Sequence, residues 1–351
     1  MNNIIVRHSA NIYPAVCNLL IKNYGFRDLH TVEADTSTKG KLSLLLELFQ
    51  DCLFLLRNFS NIRNTNIIFS VGYVSIPLKI LVKIRLIKCN SLLWFGFFLH
   101  SPKWFIMFGL ILKLLRIEHE KFILFSECEA ELYRDKLKID RSRFRYLPCG
   151  IFEKSNDLPP SISESKDYYF SGGYSNRDFR SLIEVFTKLD KKLVIVGSSL
   201  NSDLGRLDGL PSNIIVKKDI SGDEFEKYVR YSRACILIMK FNTGAAGQSV
   251  LLRYMRNKKA IIASDTDIIR EYIDHGQSGL LVRNPLTELP DIISQLENSP
   301  AKIAELGAWA RKKYEDKFSY RAVTSRLFEI IDEEISRIDG RMRMAHEHSK
   351  R

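Results

Sequence analysis

Short apolar runs alternate with stretches of helical periodicity from one end of the chain to the other. Runs such as NIIFSV (66–71), KLVIVG (192–197) and AIIA (260–263) are apolar at nearly every position and too short to be helices. That is the pattern of strands covered on both faces. In the first half the pattern predicts strands near 3–6, 29–33, 66–71, 91–99, 122–125 and 143–147. Helices are predicted between them, near 11–23, 40–58, 73–86, 102–116 and 127–137. The rhythm stops at 151–166, IFEKSNDLPPSISESK, whose Ser, Pro and charge read as a linker. It restarts at DYYFSGG, with further strands at 192–197, 213–216, 235–239, 260–263 and 279–282 and helices near 177–188, 222–232, 247–256, 267–274, 286–297, 301–315 and 319–337. Strand–helix alternation on this scale predicts an α/β protein with parallel sheets. The expected organisation is a domain over 1–150, a linker over 151–166, a second domain over 167–316 and a return helix over 317–338 packing on the first domain. A polar, basic tail over 339–351 is expected to fray.

In an open parallel sheet, ligands bind beyond the carboxyl ends of the strands, where loops feed helix N-termini. Two loops of the second half carry suitable residues. In the first, Ser171-Gly172-Gly173-Tyr174-Ser175-Asn176-Arg177-Asp178, the glycines let backbone approach an anion and Arg177 can fork onto phosphate oxygens. The competing reading is a plain strand-to-helix turn with a solvated arginine; in the phosphate reading too Arg177 is an exposed loop side chain whose removal would barely change stability. The second loop runs from Lys240 to Ser249 through Gly244, Ala245, Ala246 and Gly247. Free amides at Gly247, Gln248 and Ser249 would point at a bound anion, and Lys240 at the strand end would add charge. Tight helix–sheet packing also calls for small residues there. The two loops together predict a diphosphate site.

Charge and cysteine usage narrow the picture further. The 351 residues carry a net charge of +12, which attracts phosphates on nucleotides, lipids or nucleic acid without choosing among them. No helix-turn-helix, zinc or RNP-like motif supports nucleic acid, so that class is set aside. Six cysteines are scattered with no CxxC pair, which fits a reducing cytoplasm. The N-terminal apolar run is too short for a secretory signal, and no apolar stretch reaches spanning length. The most apolar helix, 103–117 (KWFIMFGLILKLLRI), is flanked by Lys103, Lys113 and Arg116. It reads either as a helix packed on the sheet, the favoured reading, or as one lying on an anionic membrane surface.

Between Asp167 and Pro290 the sequence resembles the GT-B glycosyltransferases, in particular the retaining, nucleotide-sugar-dependent glycosyltransferase family four. The resemblance is carried by FSGGYSNRDFRSLIEVF, by GAAGQSVLLRYMRNKKAIIASD and most closely by IIREYIDHGQSGLLV. It implies two Rossmann-like domains facing across a cleft, and a donor site built from Gly172, Gly173, Arg177, Lys240, Gly247, Gln248, Ser249, Arg253 and Glu271. Arg177 falls where the family commonly carries a diphosphate-binding lysine, and Glu271 falls on the family's glutamate. Two family glutamates that contact sugar and ribose are replaced by Ala245 and Arg253, leaving Gln248 and Ser249 as the nearest polar substitutes. Arg253 suits an acidic sugar, or a solvent-facing helix position.

The first half matches only in architecture and has His8-Ser9-Ala10-Asn11 where the family has a glycine pair. His100, ending SLLWFGFFLH, stands at a strand end where members often place a histidine, and is the catalytic candidate; a turn histidine is the competing reading. Ser126 and Glu129 lie at another strand end, where Glu129 also reads as an acid complementing a helix dipole. No DxD-like loop is present, so neither a catalytic metal nor a cofactor is implied. The expected activity is sugar transfer from a nucleotide sugar to a glycan or lipid-linked acceptor, of the kind used in bacterial-type surface polysaccharide synthesis. The expected place is the cytoplasm, either free or held peripherally on the inner face of a membrane. The alternative is a catalytically silent scaffold that binds a nucleotide sugar or a partner enzyme.

Overall fold

The computed structural model describes residues 2–9, 13–31, 41–72, 74–96, 109–150, 167–199, 201–204, 209–240 and 246–348. These form two compact units, Met1–Leu147 with Thr324–Arg351, and Pro148–Val323.

Unit 1 is built on a parallel sheet of β1 (Asn3–Ser9), β2 (Arg27–Thr31), β3 (Asn64–Val71), β4 (Lys88–Phe95), β5 (Glu120–Leu124) and β6 (Phe144–Tyr146), in the order β2-β1-β3-β4-β5-β6. Around it lie α1 (Pro14–Tyr24), α2 (Lys41–Arg57), α3 (Phe59–Ile62), α4 (Ser75–Lys83), a helical stretch over 109–114 and α5 (Glu127–Leu137). The inner strands β3 and β4 are buried without a break from Ile67 to Val71 and from Ser91 to Phe95, as expected of a sheet covered on both faces. Leu55, Leu78, Leu112 and Tyr133 come from four different helical segments and share one core with Ile68, Leu92 and Phe122 of the sheet.

Within that core sits a charged group. Lys79 of α4 is fully buried and pairs with Glu120, the first residue of β5, which Arg143 also contacts. The Lys79 ammonium lies 5.7 Å from the Trp94 ring centroid. Burial pushes the Glu120 carboxyl up and the Lys79 amine down, each opposed by the partner's charge.

Unit 2 has β7 (Tyr169–Gly172), β8 (Leu193–Gly197), β9 (Ile214–Lys218), β10 (Ala234–Leu237), β11 (Ala260–Ser264) and β12 (Leu280–Val282), all parallel, in the order β12-β11-β10-β7-β8-β9. Its helices are α6 (Phe179–Thr187), α7 (Gly222–Tyr231), α8 (Gln248–Arg256), α9 (Asp267–Tyr272), α10 (Pro285–Glu297) and α11 (Pro300–Lys317). Side-chain caps start several of them: Asp178, Ser221, Thr266 and Asn284 each accept a first-turn amide hydrogen. From β7 the chain winds outward through β8 and β9, then returns to lay β10 against the other side of β7. The order therefore reverses between β7 and β10, and a parallel sheet leaves a crevice at such a point.

The last helix, α12 (Tyr320–His348), belongs to unit 1 from Thr324 onward. Tyr24 of α1 donates to the Asp332 carboxylate (3.0 Å), Ser91 of β4 donates to buried Glu334 (3.0 Å), and Arg326 donates to the Tyr146 carbonyl (3.1 Å). The C-terminal helix thus packs back on the N-terminal domain. It also runs on through 339–348, where the polar composition predicted fraying. No proline interrupts it, and extending a formed helix is far less costly than starting one.

The buried charges of unit 1 give a test. Glu120→Ala leaves Lys79 and Arg143 without their carboxylate in a sealed core and should destabilise unit 1 by about 3–5 kcal/mol. Urea denaturation followed by tryptophan fluorescence, with Trp94 beside the group, should show its midpoint falling accordingly.

Candidate functional site

The loops leaving β7 and β10 flank the crevice, and the backbone joins them directly. Asp178 donates its amide to the Ile238 carbonyl (3.0 Å), the Lys240 amide donates to Asn176 (3.2 Å), and Arg177 pairs with Met239 as an isolated antiparallel bridge. The Met239 amide donates to Ser264 Oγ at the end of β11 (2.9 Å), which draws a third strand end into the group.

Arg177 corrects the sequence reading. It is no solvated loop arginine but is 4% exposed. Its Nε donates to the Gly172 carbonyl (3.0 Å), and its Nη1 to the Ser175 carbonyl (2.6 Å) and to Met239 Sδ (3.2 Å). Among the described residues no carboxylate pairs with it. Burial alone lowers its pKa to about 10, far above neutrality, so the cation persists. Gly173 is glycine for two reasons: φ is +119°, and a Cβ would lie 2.5 Å from the guanidinium. A Cβ on Gly172 would strike Phe225 at 2.5 Å.

Gly247 is the N-cap of α8, with φ +94°. A Cβ there would press on Leu237 and Met239 at 3.3 and 3.4 Å, so it lies beside the thioether that Arg177 contacts. The next residue, Gln248, is 7% exposed, and its Nε2 has no hydrogen-bond partner among the described residues. Ser171 Oγ, at the end of β7, is buried in the same condition. Buried polar atoms are nearly always bonded, so these two are unsatisfied atoms on β7 and α8, the elements whose ends border the Arg177 loop.

The other expected residues are placed as follows. Ser249 is exposed on the first turn of α8. Lys240 is ion-paired with Asp203 (2.6 Å), so its charge is largely spent locally. Arg253 lies with its guanidinium 5.0 Å from the Phe225 ring centroid, the ring that packs against Gly172. Glu271 is half-buried on α9. His100 and residues 241–245, Ala245 included, lie outside the described residues, as does the first part of the 103–117 segment. In unit 1, Ser126 caps α5 by accepting the Glu129 amide (3.3 Å), and Tyr133 donates to the Glu129 carboxylate (3.4 Å).

Three residues escaped the sequence reading. Tyr254 is fully buried, and its hydroxyl accepts the Gly172 amide (2.9 Å), fixing the end of β7 from α8. Asp203 comes from the loop after β8. Asp265 follows β11 and accepts from Arg270 (2.6 and 2.9 Å) and Arg283 (3.0 Å), which hold its pKa down to about 2. An acid directly after an apolar strand, with arginines five and eighteen positions on, was the only available signal for that last group.

Residues 165–298, most of unit 2, match the family model described as Glycosyl transferases group 1. The fold is that of the GT-B glycosyltransferases. The sucrose-phosphate synthase of Thermosynechococcus elongatus superposes with a TM-score of 0.72 at 14% identity, over 95% of this chain and 100% of that one. The Anabaena HepE protein in complex with UDP gives 0.72 at 14%, again over 95% and 100%. A glycosyltransferase from Rickettsia africae gives 0.69 at 13%, over 95% and 99%. No curated protein matches the chain by sequence.

Two outcomes follow. Arg177→Ala strips the buried Gly172 carbonyl of this donor, and a buried unsatisfied group costs about 1–3 kcal/mol, while the carbonyl of exposed Ser175 can turn to water. Thermal denaturation should therefore show clear destabilisation of unit 2, with Arg177→Lys recovering part of it. Asp265, with its folded pKa depressed below the unfolded value of about 3.9, contributes stability that is present above that value and lost as pH falls towards 2. Acid titration of stability should flatten over this window in Asp265→Asn.

Proposed function

We propose that the protein is a glycosyltransferase that moves one sugar from a nucleotide-sugar donor to a glycan or lipid-linked acceptor. Unit 2 binds the donor, and the diphosphate rests at the N-terminus of α8. The observations that carry this are a buried, carboxylate-free Arg177 in the loop after β7 and an unpartnered Gln248 amide at the start of α8, the two elements that border the point where the strand order reverses. A bound diphosphate supplies what both lack: negative charge for the guanidinium and the helix terminus, and an acceptor for the amide. The match of residues 165–298 to the glycosyl transferase group 1 model supports the same assignment, and the HepE structures hold UDP and UDP-glucose.

The reading extends to retention at the anomeric centre and to catalysis without a metal, with His100 as the candidate catalytic side chain facing the sugar. Gly172, Gly173, Lys240, Ser249, Arg253 and Glu271 complete the donor site in this reading. The physiological setting is surface polysaccharide synthesis at the cytoplasmic face of a membrane. Among the described residues no helix is long and apolar enough to cross a membrane, so attachment in this reading is peripheral.

A second reading, a scaffold that holds a nucleotide sugar without transferring it, draws on Arg253. That residue stands where a ribose-binding glutamate is expected and is engaged with Phe225. Donor hydrolysis in the absence of acceptor separates the two readings, because a silent scaffold releases no free sugar.

The direct test is Gln248→Met, a change of similar volume that removes the unpartnered amide. Relieving a buried unsatisfied group should raise the melting temperature of the free protein, by an amount equivalent to about 1 kcal/mol or more. Thermal shift across UDP-, GDP- and ADP-sugars should then show weaker stabilisation by the donor that the parent binds. A variant less stable than the parent, with donor binding intact, would mean that Gln248 serves packing and not the ligand.

A further inference from the structure

The outer faces of three neighbouring helical segments of unit 1 hold many of its exposed large apolar side chains. These include Phe49 and Leu56 on α2, Ile80 on α4 and Ile84 just past its end, and Leu110 and Leu114 on the 109–114 stretch. All three segments send their other faces into one core, through Leu55, Leu78 and Leu112, so they lie side by side on one face of the sheet. Lys83 of α4 donates to the Arg116 carbonyl (2.8 Å), which fixes the edge between the last two. Scattered exposed leucines need no explanation, whereas six large apolar residues on adjacent helices do.

Next to Leu110 and Leu114 opens a groove of about 880 Å³ between residues 109–116 and the C-terminal end of α5. Its charged lining is Lys113, Arg116, Arg134, Lys136, Lys138 and Arg143 against Asp140. Arg134 is engaged with Glu131 and Asp135, and Arg143 with Glu120. Lys113, Lys136 and Lys138 are exposed and have no ion-pair partner among the described residues. Arg116 is exposed and has Asp140 in its field. Like charges crowd here beside apolar side chains that water solvates poorly.

We infer that this face of unit 1 docks on an anionic phospholipid bilayer, with Leu110 and Leu114 entering the acyl boundary and the Lys113–Lys138 groove receiving lipid phosphates. Charge complementarity selects this occupant. An apolar stripe at i and i+4, bordered by lysines and arginines, matches the headgroup–acyl interface, where cations meet phosphate while leucines meet hydrocarbon. The inference extends the acceptor half of the function proposed above. It is tested without any donor, so it stands or falls separately from the donor site.

The experiment is flotation of the full chain with vesicles of phosphatidylcholine alone and of phosphatidylcholine with phosphatidylglycerol, at low and high salt. The parent should float only with the anionic vesicles, and less so at high salt. Lys136→Glu with Lys138→Glu, and separately Leu110→Ser with Leu114→Ser, should each weaken partitioning about tenfold or more. Melting temperatures should hold, because all four side chains are exposed. Soluble glycerol phosphate should compete only weakly; full competition would identify a free-phosphate site and overturn the bilayer. Equal binding to both vesicle types, or unchanged binding in both variant pairs, would also overturn it. So would a parent dimer that the leucine pair dissociates while no vesicle binds, since the partner would then be a second copy of the chain.

Discussion

The Arg177 guanidinium holds the two loops at the reversal point of unit 2 in one arrangement. It takes the carbonyls of Gly172 and Ser175 from its own loop and the thioether of Met239 from the other, while the backbone bridge closes around it. Burying a guanidinium without a carboxylate is costly, and backbone carbonyls offset only part of that cost. A site of this kind is organised around a charge deficit. The deficit explains why Gly173 must be glycine, since any side chain would occupy the cation's place. It also explains why an anion is the natural complement of the crevice.

The surrounding residues serve that arrangement more than they add charge to it. Lys240 is committed to Asp203, and Asp265 to two arginines, so each balances a neighbour. Tyr254 pins the end of β7 from α8, and Phe225 fills the space under Gly172 while carrying Arg253 on its ring. Arg177 stays without a carboxylate, and Gln248 Nε2 and Ser171 Oγ are among the buried atoms of unit 2 left without a partner. Stability and ligand recognition oppose each other at such positions, because atoms left without partners in the free protein are the ones a ligand satisfies.

Unit 1 solves its own charge problem differently. Lys79, Glu120 and Arg143 satisfy one another inside the core, so that group pins α4 and β6 to the start of β5 without calling for a ligand. Its unbalanced charge lies outside, in the lysines around the groove beside Leu110. The interior of unit 1 is thus electrostatically closed, whereas unit 2 is open at the crevice.

The alternation of apolar runs with helical periodicity was sufficient to establish two parallel α/β sheets, because a strand covered on both faces is apolar at nearly every position whatever it packs against. Caps such as Asp178, Ser221 and Asn284 act on amides two or three residues away and so are set by local sequence. The return of α12 to the first domain followed from its length and place in the chain. The condition of the site was not legible. Arg177 read as an exposed loop residue able to reach a phosphate, because its burial depends on Met239, 62 positions on, and no local pattern encodes that distance. Lys240 read as a free charge until Asp203 came beside it from another loop, and Lys79 and Glu120 meet across 41 residues. Local sequence determines which backbone states are favourable. The order in which strands are laid side by side decides which charges lose their water, and that order exists only in the tertiary structure.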